Sequence, residues 1–321
     1  MPMFNKKLFM SIMFLSTLLV LSSTSWLITW IGLEINMMST IPVIFLKKKS
    51  NTQKAMIYFL TQAMASMILL GSILNMTFDE YTAQILITIT MMIKLGVPPF
   101  HMWMPEMMNK LNWNIFMILA TVQKISPLFI VSNLSVKNLI LPEIMLWGAV
   151  LGAIMGVNQI SLNKILAYSS INHMSWMLLC MMSKNNMWMI YFIVYSFLML
   201  SLCFMMKQLE IFYINQFSMN FNWTSKMMIM VMMMNMSGLP PLPGFFIKWM
   251  ALEASMNNSL SMLILLIMIM TSLITLLFYI KMTIYMTTTS STNIKFKNIS
   301  ENISMSLIFI SNMTMPVLIL I

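Results

Sequence analysis

Charged side chains are scarce in this chain, and their scarcity excludes a soluble globular protein. They make up 8% of the 321 residues, whereas 60% of the residues are apolar. A soluble domain carries about 25% charged residues because its surface must face water. Lipid must therefore cover most of this chain's surface.

Arginine is absent, and cysteine is rare. All 18 basic residues are Lys, so the net charge of +10 comes without the guanidinium groups and basic stripes typical of nucleic-acid binding. Cys180 and Cys203 lie in separate apolar runs without CxxC or His spacing, which disfavours a disulfide framework or a zinc site. Nucleotide, haem and iron–sulfur motifs are also missing. We therefore expect neither a cofactor nor a metal on this chain.

Methionine is the residue in excess, with 46 copies. Together with abundant Ile, Asn and Lys, this excess indicates AT-rich coding in which an additional codon is read as Met. Such codon usage is typical of an animal mitochondrial genome.

Long apolar runs dominate the rest of the chain. A spanning helix needs about 20 mostly apolar residues, and the sequence predicts an all-α polytopic membrane protein with about eleven such helices. The predicted spans are residues 3–23, 26–46, 55–75, 83–104, 113–132, 139–159, 162–182, 187–206, 227–252, 259–280 and 303–321.

The lysines give this segmentation an orientation. With the N-terminus inside, only Lys137 and Lys184 fall in outer loops, and three lysines fall within spans. The remaining thirteen are inside, as positive residues usually are: Lys6, Lys7, Lys47, Lys48, Lys49, Lys54, Lys110, Lys164, Lys207, Lys226, Lys281, Lys295 and Lys297. The sequence therefore predicts the N-terminus inside and the C-terminus outside.

Four ionisable residues are predicted deep within spans: Glu34, Lys94, Lys124 and Lys248. A charge at mid-bilayer costs at least about 2.5–3.5 kcal/mol, so such residues mark functional sites by default. A Glu–Lys pair that only holds two helices together is the structural alternative. One glutamate cannot neutralise three lysines, however, and a neutral hydrogen-bonded pair would join helices at lower cost. We therefore interpret the four as a proton relay.

Each of three further polar residues has two interpretations, a role in proton transfer or a structural hydrogen bond. His101 could relay protons or bond a helix end. Tyr168 and His173 lie in the strip AYSSINHMSW (residues 167–176), which could order a water chain or form interhelical hydrogen bonds.

Two Gly-apolar-Pro-Pro segments predict broken helices, because proline removes an amide donor and glycine permits a bend. The first contains Gly96, Pro98 and Pro99. The second contains Gly238, Pro240 and Pro241. We expect proline near the start of each second half-helix, and another break at Ser126-Pro127.

The two Pro-Pro breaks fall in spans four and nine, the fourth members of two sets of five. Since five is odd, the sets would be inverted repeats, which is typical of transporters. The single membrane domain 1–321 would divide into a first repeat (1–135), a second repeat (136–282) and a loop with the last span (283–321).

Five segments resemble the antiporter-like membrane-arm subunits of respiratory complex I, and within them the subunit 2 family of mitochondrial NADH dehydrogenase. The segments are WLITWIGLEINMMSTIPV (26–43), YFLTQAMASMILL (58–70), KLGVPPFHMWMPE (94–106), NKILAYSSINHMSWM (163–177) and GLPPLPGFFIKW (238–249). The sequence departs from that family's pattern at Val122, where Trp is frequent, and at Pro243, where Thr is common.

The resemblance implies a core subunit of the proton-pumping NADH:ubiquinone oxidoreductase of the mitochondrial inner membrane, with the N-terminus in the matrix and the C-terminus in the intermembrane space. It implies that Glu34 partners the pump lysine Lys94, that Lys124 is the connecting lysine, and that Lys248 belongs to the second broken helix. NADH, FMN, iron–sulfur clusters and ubiquinone would then be handled by partner subunits, and this chain would contact membrane-arm subunits, lipids and protons. Two alternatives stay open: an Mrp-type cation/proton antiporter subunit, and a non-conducting scaffold of the membrane arm.

Overall fold

The computed structural model describes residues 3–45, 51–134, 137–182, 186–218, 223–256 and 262–288. Within these ranges the chain is helical without a β-strand, and one isolated β-bridge joins Ser161 and Tyr213. The all-α prediction is therefore confirmed. The predicted last span, 303–321, lies outside the described residues, so the count of eleven spans stays a prediction.

Thirteen α-helices and one 3-10 helix make up the described chain. The α-helices are α1 Met3–Ser22, α2 Trp26–Phe45, α3 Asn51–Asn75, α4 Glu80–Leu95, α5 Trp103–Met108, α6 Trp113–Ala120, α7 Val122–Asn133, α8 Lys137–Val157, α9 Leu162–Met182, α10 Met187–Leu209, α11 Trp223–Ser237, α12 Pro243–Met256 and α13 Met262–Thr288. The 3-10 helix is Ile214–Ser218.

Within the ranges that the structure describes, five segments are long and apolar enough to cross a membrane. They are Trp26–Phe45, Asn51–Asn75, Trp113–Asn133, Met187–Leu209 and Met262–Thr287. Two shorter apolar helices, Lys7–Ser22 and Leu141–Val157, accompany them. Large apolar side chains such as Met64, Met67 and Leu263 are exposed on these helices. In a lipid environment these side chains face hydrocarbon, which is more favourable for apolar surface than contact with water.

The chain forms two compact units. The first comprises Met1–Leu111 and Ile115–Ile144, in which α1 packs on α2, α2 on α3, and α3 on α4, while α7 contacts α1 and α4. The second comprises Asn112–Asn114 and Met145–Ile321. Its central helix is α9, where every residue from Ile165 to Met181 is buried, and α10, α12 and α13 pack against it. A helix buried on all sides belongs to the core of a large protein.

Hydroxyl side chains inside the helices are mostly satisfied by their own helix. The hydroxyls of Ser16, Thr90 and Ser201 each donate to the backbone carbonyl three residues earlier, at 2.7, 2.7 and 2.8 Å. Because this local bond needs no partner on another helix, these residues are tolerated in apolar surroundings.

The first predicted break is a helix end followed by a turn. Helix α4 ends at Leu95, and Gly96 has φ +66°, the left-handed conformation that favours glycine. The Val97 N–H donates to the Met92 carbonyl at 3.1 Å, while the Gly96 N–H donates to Ile93 at 3.2 Å. These two bonds form a Schellman motif, which satisfies carbonyls that the helix end leaves without intrahelical donors.

Pro98 and Pro99 lie in the turn after Gly96, and helix α5 begins only at Trp103. Pro98 and Pro99 thus precede the second half-helix, and the proline near its start is Pro105, the third residue of α5. Each proline disfavours the helical conformation of the residue before it, so two consecutive prolines delay the next helix.

The second break has the same form. Helix α11 ends at Ser237, Gly238 has φ +84°, and the Leu239 N–H donates to the Met234 carbonyl at 3.4 Å. Pro240 and Pro241 lie in the turn, and Pro243 is the first residue of α12. Proline suits that position because its missing N–H would have no intrahelical acceptor there.

A third interruption lies elsewhere than expected. Helix α6 ends at Ala120 and α7 begins at Val122, whereas Pro127 lies inside α7, so the predicted break at Ser126-Pro127 is wrong. The proline ring presses on the carbonyl four residues earlier, which belongs to Gln123. The interruption itself lies at Thr121, which takes φ −120° and ψ −73°.

Candidate functional site

Lys94 lies in the last turn of α4, immediately before the first break, and only 8% of it is exposed. The helix C-terminus carries the negative end of the helix dipole, which favours a cation there. The half-buried Glu34 of α2 adds a second negative charge that acts on the Lys94 ammonium. The Gln62 amide donates to the Lys94 backbone carbonyl at 3.4 Å and so links α3 to this turn.

Lys124 lies on α7, with 2% of its surface exposed. It lines a cavity of the first unit that Lys94 also lines. The polar side chains around this cavity are Asn36, Tyr58, Gln62, Lys94, Gln123, Lys124 and Ser126. The structure therefore brings two of the predicted lysines to the same internal space.

A chain of three side-chain groups crosses the cavity region. The Tyr58 hydroxyl donates to Gln123 Oε1 at 3.3 Å, and Gln123 Nε2 donates to Asn36 Oδ1 at 2.8 Å. Sequence reasoning missed these residues. Their signal was present, since Asn36 follows Glu34 by two positions and Gln123 precedes Lys124, each inside an apolar run.

Lys248 lies on α12 and is 7% exposed. Its Nζ donates to the Ser237 carbonyl oxygen at 2.7 Å, which places the ammonium at the C-terminal end of α11. That carbonyl is accessible because the break at Gly238 interrupts the helical bonding pattern. Among the described residues, the hydrogen-bond partner of this lysine is thus a helix end.

His173 and Tyr168 lie on the buried helix α9 of the second unit. His173 Nδ1 is 2.9 Å from Tyr191 Oη on α10, and the His173 ring centroid is 5.2 Å from that of Tyr195. An interhelical hydrogen bond at His173 is therefore present. His101 is buried in the turn between α4 and α5 of the first unit.

The predicted site residues divide between the two compact units. Glu34, Lys94, His101 and Lys124 belong to the first unit, and Tyr168, His173 and Lys248 belong to the second. In the ranges that the structure describes, no three His, Cys, Asp or Glu side chains form a group that could hold a metal ion.

Known proteins resemble this chain in sequence and in fold. The family described as NADH:quinone oxidoreductase/Mrp antiporter, transmembrane, matches residues 23–80 and 75–275. The NADH-ubiquinone oxidoreductase chain 2 of Anopheles gambiae is 38% identical over 95% of this chain and 94% of its own length. That of Locusta migratoria is 38% identical over 86% of this chain and 83% of its own length. The chain belongs to the NADH-ubiquinone oxidoreductase chain 2 family.

Solved structures agree with this assignment at the level of the fold. A chain of respiratory complex I from Thermus thermophilus superposes with a TM-score of 0.85 at 18% identity, covering 98% of this chain and 79% of that one. A chain of the Mrp complex from Dietzia superposes with a TM-score of 0.79 at 13% identity, covering 91% and 64%. The chain 2 fold is thus one that complex I and Mrp complexes share.

Proposed function

We propose that this member of the chain 2 family is a membrane-arm subunit of NADH:ubiquinone oxidoreductase that translocates protons through its buried Glu and Lys residues. The observation that carries the proposal is the shared cavity of Lys94 and Lys124, with the Glu34 charge acting on Lys94. Ionisable groups within a membrane protein mark proton paths when they face protein or a polar cavity instead of lipid.

The setting follows from the same proposal. The chain lies in the mitochondrial inner membrane as a multi-pass protein, with its N-terminus in the matrix and its C-terminus in the intermembrane space. Its partners are other membrane-arm subunits of the complex, lipids and protons. The chemistry of NADH, FMN, iron–sulfur clusters and ubiquinone takes place on partner subunits.

The proposed relay begins with Glu34 and Lys94. Glu34 holds Lys94 charged. When the redox cycle weakens this pair, Lys94 passes its proton to Lys124 and onward to the second half. Lys248, anchored on the Ser237 carbonyl, controls release to the outside.

The energy needed to move a proton across the membrane is compatible with the proposed relay. Moving one charge against the membrane potential costs about 2.3 kcal/mol per 100 mV. A change of one pKa unit corresponds to about 1.36 kcal/mol. Strengthening and weakening one ion pair in a partly dehydrated site is of the same order.

The first experiment neutralises the proposed pair in the intact complex in sealed membrane vesicles. Lys94→Met or Glu34→Gln should lower the number of protons pumped per NADH oxidised, or the coupled rate of turnover. Matched controls are Lys207→Met and Glu80→Gln, because both side chains are exposed at helix ends. Pumping that stays at the wild-type level in the Lys94 and Glu34 variants would refute the assigned roles.

The two alternatives give different results in further assays. A cation/proton antiporter, which the family description and the Mrp neighbour keep open, would purify in a smaller assembly and catalyse sodium-dependent exchange. A stable assembly with flavin and iron–sulfur absorbance supports the complex instead. A scaffold that does not conduct would retain pumping after Lys94, Lys124 and Lys248 are all neutralised.

A further inference from the structure

Two carbonyl groups at the end of α4 accept hydrogen bonds from side chains of other helices. Pro98 has no N–H, so the Lys94 carbonyl lacks the backbone donor four residues further along the chain. The Gln62 amide of α3 donates to this carbonyl at 3.4 Å. The indole Nε1 of Trp103, the first residue of α5, donates to the neighbouring Ile93 carbonyl at 3.1 Å. The last turn of α4, which carries Lys94, is therefore bonded to both α3 and α5.

The Trp103 indole is itself held in place by packing. Its ring centroid lies 6.1 Å from that of Tyr58, and the two ring planes make an angle of 61°. This is an edge-to-face contact, an arrangement that aromatic pairs prefer. Tyr58 lies one helical turn before Gln62 on α3, so one face of α3 both supports the indole and supplies the second donor.

Gly96 allows the indole to lie directly against the end of α4. A Cβ at this glycine would be 3.3 Å from Trp103 Cζ2 and 3.2 Å from Met104 Sδ. Both distances are shorter than ordinary van der Waals contact. A larger residue at this position would therefore push α5 away from the carbonyl that Trp103 binds.

These contacts matter for Lys94 because a helix end at a glycine turn can move. Terminal turns of helices fray, and hinges form at the ends of elements where a few residues absorb a change of backbone angles. Trp103 lines the same cavity as Lys94 and Lys124. A misplacement of about 1 Å between reacting groups can slow a reaction by about 100-fold. A fixed end of α4 is therefore a requirement for proton transfer from Lys94.

We propose that Trp103 and Gln62 are positioning residues for Lys94. Their N–H groups hold the last turn of α4 against α5 and α3, so that the lysine keeps its place in the cavity. Neither side chain carries the proton, since the indole N–H and the amide only donate their hydrogen bonds here. This inference rests on the proposed proton-translocating function.

The test removes one hydrogen bond and keeps the aromatic ring. Trp103→Phe retains an aromatic partner for Tyr58 and lacks the N–H. The matched control is Trp113→Phe, which loses an indole bond of the same kind, to the Ile211 carbonyl at 3.1 Å in the second unit. Losing one such bond changes an equilibrium or a rate by about fivefold.

Both variants are measured in the intact complex in sealed vesicles, with rates normalised to the flavin content of the assembly. Trp103→Phe should lower the proton-pumping rate by about twofold to fivefold. Trp113→Phe should keep the wild-type pumping rate in the assembled fraction. Both should lower the temperature of inactivation, because each loses a hydrogen bond.

The pH dependence of pumping is a readout that a purely structural role would not change. Among the described residues, the charged and titratable side chains that face Lys94 are Glu34 of α2, Tyr58 of α3 and Lys124 of α7. A displaced end of α4 changes the distances from Lys94 to these groups. The pH of half-maximal pumping should therefore differ from wild type in Trp103→Phe and match it in Trp113→Phe.

A second variant decides the matter if Trp103→Phe does not assemble. Gln62→Met removes the donor to the Lys94 carbonyl and keeps an unbranched side chain of similar length. It should lower the pumping rate and change the pH of half-maximal pumping in the same way as Trp103→Phe.

The possible outcomes separate this inference from the function on which it rests. If Trp103→Phe and Gln62→Met pump like wild type at every pH while Lys94→Met does not, the positioning role is wrong and the proton relay stands. If Trp113→Phe slows pumping as much as Trp103→Phe, a general loss of packing is the cause, and the inference is overturned. If Lys94→Met also pumps normally, the proposed function itself has failed.

Discussion

Replacing Gly238 with Ala would place a methyl group between the second helix break and the lysine that contacts it. Gly238 has φ +84°, and a Cβ built there would lie 3.1 Å from Lys248 Nζ and 3.2 Å from the Gly244 carbonyl oxygen. Both distances are shorter than ordinary van der Waals contact. The substitution therefore strains the backbone at Gly238. It also crowds Lys248, which donates to the adjacent Ser237 carbonyl.

The expected size of the effect has two parts. A residue with a Cβ pays about 1–2 kcal/mol for the left-handed conformation. Displacing Lys248 from Ser237 would remove a hydrogen bond from a charged group, which contributes about 1.5–3 kcal/mol. If both parts act in full, the variant loses about 2.5–5 kcal/mol. If Lys248 adjusts and keeps its bond, the backbone part remains.

The assay compares Gly238→Ala with Gly71→Ala in the assembled complex. Gly71 lies inside α3, and a Cβ there would meet no atom within 4 Å. Alanine is favoured over glycine in a helix by about 1 kcal/mol, so Gly71→Ala should be neutral or stabilising. Thermal inactivation of the complex reports stability, and protons pumped per NADH report the position of Lys248.

We expect Gly238→Ala to inactivate at a lower temperature than both wild type and Gly71→Ala. A displaced Lys248 would also reduce pumping in the fraction that remains assembled. If Gly238→Ala matches Gly71→Ala in both measurements, the left-handed glycine and the close approach of Lys248 are not requirements of this break.

Two further substitutions test buried hydrogen bonds of the second unit. Trp113→Phe removes the indole N–H that donates to the Ile211 carbonyl at 3.1 Å. The variant should destabilise the assembled chain by about 1–3 kcal/mol, measured by thermal inactivation. Unchanged stability would contradict a stabilising role for this hydrogen bond. Tyr191→Phe removes the partner of His173 Nδ1 and should cost a similar amount in the same measurement, whereas Tyr81→Phe, at an exposed position, should leave stability unchanged. Equal inactivation temperatures for the two tyrosine variants would show that the His173 contact adds no stability.

Local features of the chain were predicted well because neighbouring residues determine them. Gly96 and Gly238 each end a helix where the sequence predicts a break, since a left-handed residue and the following prolines stop helical hydrogen bonding whatever packs around them. The start of α5 was not predicted, because consecutive prolines act on the residues before them and leave the next helix start to the surrounding packing. The interruption at Thr121 lies six residues before Pro127, and the proline stays inside α7.

The partners of buried polar groups could not be read from the sequence. Tyr58 and Gln123 are 65 residues apart, and Gln123 and Asn36 are 87 apart, so their contacts depend on how each helix is rotated about its axis. The strip around His173 contains both polar and apolar residues, yet all of it is buried because α9 is central to its unit. Sequence patterns give the face of a helix only when one face differs from the other.

The sequence by itself determined the membrane class, the helical fold and the identity of the ionisable residues, because hydropathy and charge need no knowledge of distant contacts. Only the tertiary structure decided that Lys94 and Lys124 line one cavity, that Ser126 has a hydroxyl without a partner among the described residues, and that Lys248 bonds a helix end. These arrangements are set by helix packing, which brings together side chains that the sequence holds far apart.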